Sequence, residues 1–157
     1  MQPAGIQVSQ EHRVELHFTP ASEVHLPFAR DLTRRAMLTY YRQFDLLWMD
    51  EAFDQAWCWR EQWLLSNEQG AVGYLSLSAD ARALYIRELH LIESVRGHGL
   101  GARVLEQTFR WARERGLPRV RLTVFSTNPA QALYLRKGFV AVGEEDCFIR
   151  MERLVFP

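Results

Sequence analysis

Glycine stands at every second position of the run Arg-Gly-His-Gly-Leu-Gly at residues 96–101, between an apolar stretch and an amphipathic one. Because glycine has no Cβ, such a backbone can turn sharply and bring its N–H groups close to a ligand. A helix after the turn adds its unpaired N-terminal N–H groups and the positive end of its dipole. The run therefore predicts a site for phosphate oxygens, to which Arg96 and Arg103 can add charged hydrogen bonds.

Nucleotide motifs fit this glycine turn poorly. A P-loop requires a lysine followed by Ser or Thr after its last glycine, and the run has none. A dinucleotide site requires G-x-G-x-x-G and an acid at the end of the next strand. Here the third glycine comes one place early, and the predicted strand 119–125 ends in Phe-Ser-Thr. A tight turn that binds no ligand stays open as the structural alternative.

A second motif follows at residues 128–139, with the sequence Asn-Pro-Ala-Gln-Ala-Leu-Tyr-Leu-Arg-Lys-Gly-Phe. Residues 96–101 fit the pattern R/Q-x-x-G-x-G/A, and the second motif is similar to N…A-x-x-L-Y-x-x-x-G-F. With both motifs at the expected separation, residues 83–157 resemble the GCN5-related N-acetyltransferases. One departure is that Asn128 stands six residues before Tyr134, where the family usually has seven.

The resemblance implies acetyl-CoA as cosubstrate and a role for each part of the two motifs. The turn would hold the CoA pyrophosphate and Asn128 would bind the pantetheine arm. Arg136 or Lys137 would reach the 3′-phosphate, with a solvated helix face as the structural alternative. Tyr134 would protonate the leaving thiolate, and the backbone N–H of Leu89 would stabilise the oxyanion. The predicted cosubstrate-binding residues are Leu89, His90, Leu91, Arg96, Gly97, His98, Gly99, Leu100, Gly101, Ala102, Asn128, Tyr134 and Lys137.

The two motifs assign no general base, although an alkylamine with a pKa of about 10.4 needs one at neutral pH. In several family members a Glu or His of the fourth strand serves, but those positions here hold Tyr85 and Arg87. Glu88 and His90 have the opposite strand parity, so they are expected to face away unless a bulge intervenes. Glu51, Asp50 and Asp45 from the helical segment are the other candidates, of which Glu51 ranks first, and a solvated helix carboxylate is the structural alternative.

The acceptor is expected to bind the first half of the chain. Residues 40–63 mix aromatic and acidic side chains, which suits a cationic amine through cation–π contacts and charge pairing. Tyr40, Trp48, Glu51 and Tyr85 are the candidate acceptor-binding residues, while a packed core explains Phe53 with Trp57 and Trp59 with Trp63. A small amine, an amino acid, an aminoglycoside, a peptide N-terminus and a protein lysine all stay open as acceptors.

Apolar periodicity and turn residues predict the elements that position these groups. The predicted order is β-α-α-β-β-β-α-β-α-β-β, which indicates a mixed α/β (α+β) fold with a mostly antiparallel sheet. The resemblance implies six to seven strands, about four helices and a splay between the fourth and fifth strands. The predicted elements cover residues 14–18, 27–43, 50–62, 63–66, 72–78, 83–92, 100–115, 119–125, 129–137, 139–142 and 148–155.

The 157 residues suit one domain, in which residues 1–12 are expected to be a loose segment. The formal net charge is zero, which excludes a strongly basic nucleic-acid binder by composition. Residues 1–80 carry a balance of −5 and residues 81–157 one of +5, which suggests an amine on the first half and CoA on the second. The cysteine spacing favours neither a disulfide framework nor a metal site.

The sequence therefore predicts a cytoplasmic N-acetyltransferase without a membrane span, which transfers acetyl from acetyl-CoA directly to a primary amine in a ternary complex. The resemblance also makes a homodimer possible. The alternative is a CoA-binding module or sensor with the same fold and no catalysis, since no base is evident at the expected strand positions. Tyr134 argues against that alternative, because a binding module has no need of a leaving-group acid.

Overall fold

The computed structural model describes residues 15–156. Its strands and α-helices follow the predicted order: β1 (His17–Pro20), α1 (Leu26–Gln43), α2 (Asp50–Trp57), β2 (Glu61–Asn67), β3 (Gly70–Ala79), β4 (Leu84–Leu91), α3 (Leu100–Glu114), β5 (Arg119–Phe125), α4 (Gln131–Arg136), β6 (Val140–Glu145) and β7 (Phe148–Leu154). The segment 1–12, predicted to be loose, lies outside the described residues. No described helix is long and apolar enough to cross a membrane.

All seven strands form one sheet in the order β1-β2-β3-β4-β5-β7-β6. The β4–β5 pair is parallel, because α3 carries the chain back between these strands, and the other pairs are antiparallel. The β4–β5 register covers Leu84 to Ile86 against Val120 to Leu122 and goes no further. Beyond these residues the two strands separate, so the predicted splay is confirmed.

Two apolar clusters cover the two faces of the sheet. On one face α3 buries Val104, Leu105 and Phe109 against side chains of the central strands. On the other face α1 and α2 pack around Tyr74 of β3, with Phe53 and Trp57 of α2 in contact with it. The helices thus hold the sheet from both sides and leave the gap between β4 and β5 open.

The second helix is shorter than predicted, because it ends at Trp57 and not at residue 62. Gln62 is buried in β2 and its Nε2 donates to the Trp57 carbonyl oxygen at 3.1 Å, which satisfies an acceptor at the helix end. Trp59 is 85% exposed, so the predicted packing of Trp59 with Trp63 is wrong. Trp63 instead stacks on Trp111 of α3, with ring centroids 4.5 Å apart.

The first strand also differs from the prediction, which ended it before Thr19. It runs on through Pro20, which pairs with Trp63 of β2. Proline is tolerated because β1 is an edge strand, and no further strand needs its missing N–H group. Val14, where the strand was predicted to begin, lies outside the described residues.

Candidate functional site

The glycine turn leads from β4 to the first turn of α3. Gly97 and Gly99 have φ angles of 80° and 79°, a left-handed conformation that residues with a Cβ rarely adopt. Gly99 is the N-cap of α3 and has no side chain to cap the first N–H groups of the helix. Arg96 fixes the turn to the end of β4, since its Nε donates to the Leu91 carbonyl oxygen at 2.9 Å. The turn thus presents backbone donors at an exposed helix N-terminus.

The gap between β4 and β5 begins beside this turn and exposes the inner edge of β4. The N–H group of Ile92 donates to Val72 of β3 at 2.8 Å. Because N–H groups alternate along a strand, those of Leu89 and Leu91 point away from β3 and into the gap. The strand edge therefore offers the backbone donors that the sequence resemblance expects at Leu89 and Leu91.

A cleft of about 1170 Å³ occupies the gap and extends over the sheet face below α1. Many of the predicted site residues line it, namely Tyr40, Trp48, Tyr85, Leu89, His90, Leu91, Arg96, Gly101, Asn128 and Tyr134. Other predicted residues do not line it, namely Glu51, Gly97, His98, Gly99, Leu100, Ala102 and Lys137. Of this second set, residues 97–100 and 102 belong to the turn and the first residues of α3 beside the cleft. Leu100 is buried in the core.

Two predicted side chains have partners within the protein. Lys137 forms an ion pair with Glu106 of α3, and its ammonium holds the pKa of that carboxyl below its usual value. Asn128 lines the cleft, and its Oδ1 accepts a hydrogen bond from the Ala130 N–H at 2.9 Å. Among residues 15–156 its side-chain nitrogen has no partner, so this donor is available to a molecule in the cleft.

Tyr134 projects from α4 into the cleft, and its ring meets Phe139 edge-on at 5.7 Å. Burial, together with the negative charge of Glu88, raises the pKa of Tyr134 to about 12. The phenol is therefore protonated throughout the neutral range. Its hydroxyl donates to no other described residue, which leaves the proton available to a bound molecule.

A β-bulge in β4 changes which residues face the cleft. Ser76 of β3 pairs with Glu88, but the next residue, Leu77, pairs with Ile86. Arg87 is therefore an extra residue without a cross-strand partner. One extra residue reverses the alternation of side chains beyond it.

Because of this bulge, Glu88 and His90 lie on the cleft face with Tyr85, and Leu89 and Leu91 pack against the α3 core. Strand alternation alone predicts that Glu88 and His90 face away from the cleft, unless a bulge intervenes. The bulge is present, and both side chains face the cleft. A sequence signal marks it, because the apolar positions change phase from 84 and 86 to 89 and 91.

Glu88 and His90 form a hydrogen-bonded pair within the cleft. Their side chains meet at 2.8 Å between His90 Nε2 and Glu88 Oε1, and His90 is buried. Arg60 Nη1 lies 3.9 Å from Glu88 Oε2, which leaves that oxygen without a close donor. The pair is therefore a carboxylate and an imidazole that can accept and pass on a proton.

The wall from the first half of the chain is aromatic, as predicted, but it is not acidic. Tyr40, Tyr41 and Trp48 line the cleft, and Tyr40 stacks on Phe125 of β5 at 5.3 Å. Glu51 is exposed on α2 and lies outside the cleft, so the structure does not bring it together with the other predicted site residues.

Three other carboxylates of residues 40–63 form ion pairs with arginines. They join Asp50 to Arg34 at 3.1 Å, Asp54 to Arg30 at 2.8 Å and Glu61 to Arg115 at 2.8 Å. A hydrogen bond from the Trp48 indole N–H, and to a lesser extent Arg34, holds the pKa of Asp50 below its usual value. These ion pairs join α1 to α2 and β2 to the end of α3.

A mixed sheet that splays between β4 and β5, with a glycine turn at the start of α3, is the fold of acetyltransferases that use acetyl-CoA. The family model "Acetyltransferase (GNAT) family" matches residues 29–139, and the chain belongs to this family. No curated protein matches the chain at the threshold of the search.

Solved structures share the fold at low sequence identity. PaiA N-acetyltransferase from Thermoplasma acidophilum, in complex with coenzyme A, is 14% identical with a TM-score of 0.71 over 89% of this chain and 99% of its own. The ribosomal-protein-S18-alanine N-acetyltransferase from Escherichia coli is 17% identical, with a TM-score of 0.71 over 90% and 94%. A GNAT acetyltransferase from Elizabethkingia anophelis with acetyl-CoA bound is 17% identical, with a TM-score of 0.70 over 88% and 97%.

Proposed function

We propose that the protein transfers acetyl from acetyl-CoA directly to a primary amine, with both substrates bound in the cleft. The observation that carries the proposal is that a protonated phenol and a carboxylate, those of Tyr134 and Glu88, line one cleft beside the glycine turn. A group that keeps its proton and a group that can accept one are what aminolysis of a thioester requires.

The residues of the turn fit the phosphates of CoA. Gly97 and Gly99 take the left-handed conformation that a tight cradle needs, and the N-terminus of α3 adds its donors. The Leu89 and Leu91 N–H groups give an extended pantetheine arm a strand edge to pair with. Acetyl-CoA supplies the acyl thioester, and the chain's own residues position it and move protons.

Proton transfer is assigned to two groups on different elements. Glu88 of β4 accepts the proton of the incoming amine, and its contact with His90 holds the carboxylate in place. Tyr134 of α4 donates its proton to the departing sulfur. The Leu89 N–H donates to the carbonyl oxygen as negative charge develops there.

Direct transfer is favoured over a covalent enzyme intermediate. Cys58 is exposed and Cys147 is partly buried, and neither lines the cleft. Holding the amine and the thioester together supplies the rate advantage of proximity without a nucleophile from the protein.

Two measurements test this proposal. CoA and acetyl-CoA should each raise the melting temperature, and a panel of amines should release free thiol from acetyl-CoA, with the acetylated amine identified by mass. Binding of CoA without transfer to any amine would favour the sensor alternative. No thermal shift with either compound would contradict both functions.

A further inference from the structure

A second, smaller pocket opens beside the cleft, and we call it the side pocket. Its volume is about 220 Å³, and its walls come from the end of α1, the loop that follows it, α2 and β4. Among the described residues only Arg60 and Glu88 bring charge to its lining, and the other lining side chains are aliphatic or aromatic. The side pocket is therefore an apolar space with one carboxylate and one guanidinium at its wall.

The side pocket and the cleft share part of their walls. Tyr41, Trp48, Arg60 and Glu88 line both spaces. Glu88 is the candidate base, and its charge also acts on the Tyr134 phenol within the cleft. A molecule whose amine contacts Glu88 can therefore extend its carbon skeleton into the side pocket.

Contacts within the protein hold the aromatic walls of the side pocket in place. The indole N–H of Trp48 donates to Asp50 Oδ1 at 2.7 Å. The ring of Tyr41 meets Trp48 edge-on at 5.4 Å, and Phe53 lies against the same indole at 6.0 Å. Because these rings already pack on one another, an apolar ligand finds a preformed surface.

Two large aliphatic side chains of the side pocket are open to water. Leu47 is 80% exposed and Met49 is 51% exposed, and both lie in the loop between α1 and α2. Single exposed apolar residues are ordinary, but two on one concave surface with other apolar side chains are typical of a ligand site. A bound apolar group would remove part of their surface from water.

Helix α2 leaves room in the side pocket because it presents alanines there. Ala52 and Ala56 both line the pocket and are four residues apart, so they lie on one face of the helix. Longer side chains at these positions would occupy the space. An apolar cavity of about 150 Å³ holds benzene, so about 220 Å³ suits a phenyl ring or a short alkyl chain.

The charges at the wall disfavour an acceptor with a second ammonium group. Glu88 is the only carboxylate that lines the side pocket in the described part of the chain, and Arg60 Nη1 lies 3.9 Å from its Oε2. A second ammonium would lie near this guanidinium without a carboxylate of its own, and an unpaired charge is costly to bury. An apolar end meets no such penalty.

We propose that the acceptor is a small primary amine whose carbon skeleton ends in an apolar group, which fills the side pocket while the amine contacts Glu88. The nitrogen bonds to the acetyl carbon as the carbon–sulfur bond breaks, its proton passes to Glu88, and Tyr134 protonates the sulfur. This assignment rests on the proposed function and narrows its acceptor.

Matched amines test the assignment. Ethylamine and n-pentylamine have nearly the same basicity, and 1,4-diaminobutane has the length of n-pentylamine with an ammonium in place of the end methyl. The kcat/KM of n-pentylamine should exceed that of each of the other two about tenfold or more, because three further carbons are buried. 2-Phenylethylamine should also exceed ethylamine. Equal use of the three aliphatic amines would overturn the assignment.

Variants of α2 connect this preference to the side pocket. Ala52→Leu and Ala56→Leu fill the space, and each should raise the KM of n-pentylamine about tenfold with a smaller change for ethylamine. Leucine has nearly the helix propensity of alanine, and Ala52 is exposed, so at least that variant should fold. Gln55→Leu, exposed on the same helix outside both spaces, is the matched control. A preference that persists in both alanine variants would overturn the assignment.

A thermal-shift assay on the CoA-saturated protein separates this assignment from the proposed function, since it requires no turnover. n-Pentylamine should raise the melting temperature more than ethylamine, and the difference should disappear in the two alanine variants. Such binding without acetyl transfer would refute the proposed function alone. Transfer that ignores the apolar group, or transfer only to a peptide with an N-terminal leucine and to none of the small amines, would refute the assignment of the side pocket.

Discussion

Glu88 and Tyr134 come from different elements, and the negative charge of Glu88 acts on the Tyr134 phenol. The phenol is removed from solvent near a carboxylate, and both effects disfavour the tyrosinate, so the pKa of Tyr134 is raised to about 12. The phenol therefore keeps its proton throughout the neutral range. In the proposed mechanism the phenol is the acid and the carboxylate of Glu88 is the base.

Replacing the carboxylate of Glu88 tests the base role. Glu88→Gln keeps the size and polarity of the side chain but cannot accept the amine's proton, so kcat/KM at pH 7 should fall about 10²-fold or more. The deficit should shrink toward pH 10, where more of the amine is already neutral. Rates of acetyl transfer between pH 6 and 10 give both results.

Glu51→Gln is the comparison variant, because Glu51 is exposed outside the cleft. It should match the wild-type rate at every pH. A Glu88→Gln deficit that stays constant across the pH range would contradict the base role and indicate a positioning role.

Removing the hydroxyl of Tyr134 tests the acid role. Tyr134→Phe should lower kcat by about 10²-fold or more and leave the affinity for CoA near that of the wild type. The melting temperature should change little, because the hydroxyl has no hydrogen-bond partner among the described residues. Turnover assays with calorimetric titration of CoA measure both effects, and an unchanged kcat would refute the assignment.

Among the elements, the glycine turn and α3 act together as one structural unit. The turn gains its shape from left-handed residues, and Gly101 keeps α3 close to α4, since a Cβ there would meet Leu133 at 3.0 Å. The turn's backbone donors therefore have fixed positions before any ligand arrives.

Gly99→Ala tests whether this shape serves ligand binding. The φ of 79° costs a residue with a Cβ about 1–2 kcal/mol, so stability should fall and the affinity for CoA should drop about tenfold or more. Gly116→Ala, with a φ of 71° at the other end of α3, is the matched control. It should lose similar stability in urea denaturation and keep the affinity for CoA, and equal losses of affinity would contradict the prediction.

The turn and β5 could be predicted from sequence because their signals are local. Alternate glycines and a clean apolar alternation each specify a backbone conformation within a few residues. The observed β5 has the predicted bounds, Arg119–Phe125. The motif that singles out Tyr134 likewise lies within one short segment, residues 128–139.

The bulge at Arg87 and the end of α2 depend on distant partners and could not be predicted in the same way. The bulge is defined by pairing with Ser76 and Leu77 of β3, although the apolar phase change in β4 hinted at it. The end of α2 is fixed by pairing of β2 with β3, which overrides the helical spacing of Trp59 and Trp63. The candidate base was missed because it depends on such a long-range contact.

At the scale of the whole molecule, the division of charge between the halves does not map onto two binding sites. Asp50, Asp54 and Glu61 of the first half pair with arginines of α1 and of the end of α3, and the cleft takes its carboxylates from β4 and β7. The net charge of either half therefore does not describe the charge around the cleft.

Glu88 also affects how the stability of the molecule depends on pH, because its charge helps to raise the pKa values of tyrosines on three elements. The pKa values of Tyr41 on α1, Tyr74 on β3 and Tyr134 on α4 are all raised, mainly by burial and secondly by the charge of Glu88. In the unfolded chain these phenols titrate near pH 10. Above that pH the unfolded chain loses protons that the folded protein keeps, so unfolding becomes more favourable.

The free energy of unfolding should therefore be insensitive to these tyrosines below about pH 10 and should fall as pH rises toward 12. Each such tyrosine contributes a slope of about 1.4 kcal/mol per pH unit at 25 °C. Urea denaturation between pH 7 and 11.5 measures the slope, and phenolate absorbance follows the ionisation. Tyr134→Phe should make the fall shallower by about the contribution of one tyrosine. An unchanged slope in that variant would mean that the Tyr134 phenol ionises in the folded protein as readily as in the unfolded chain.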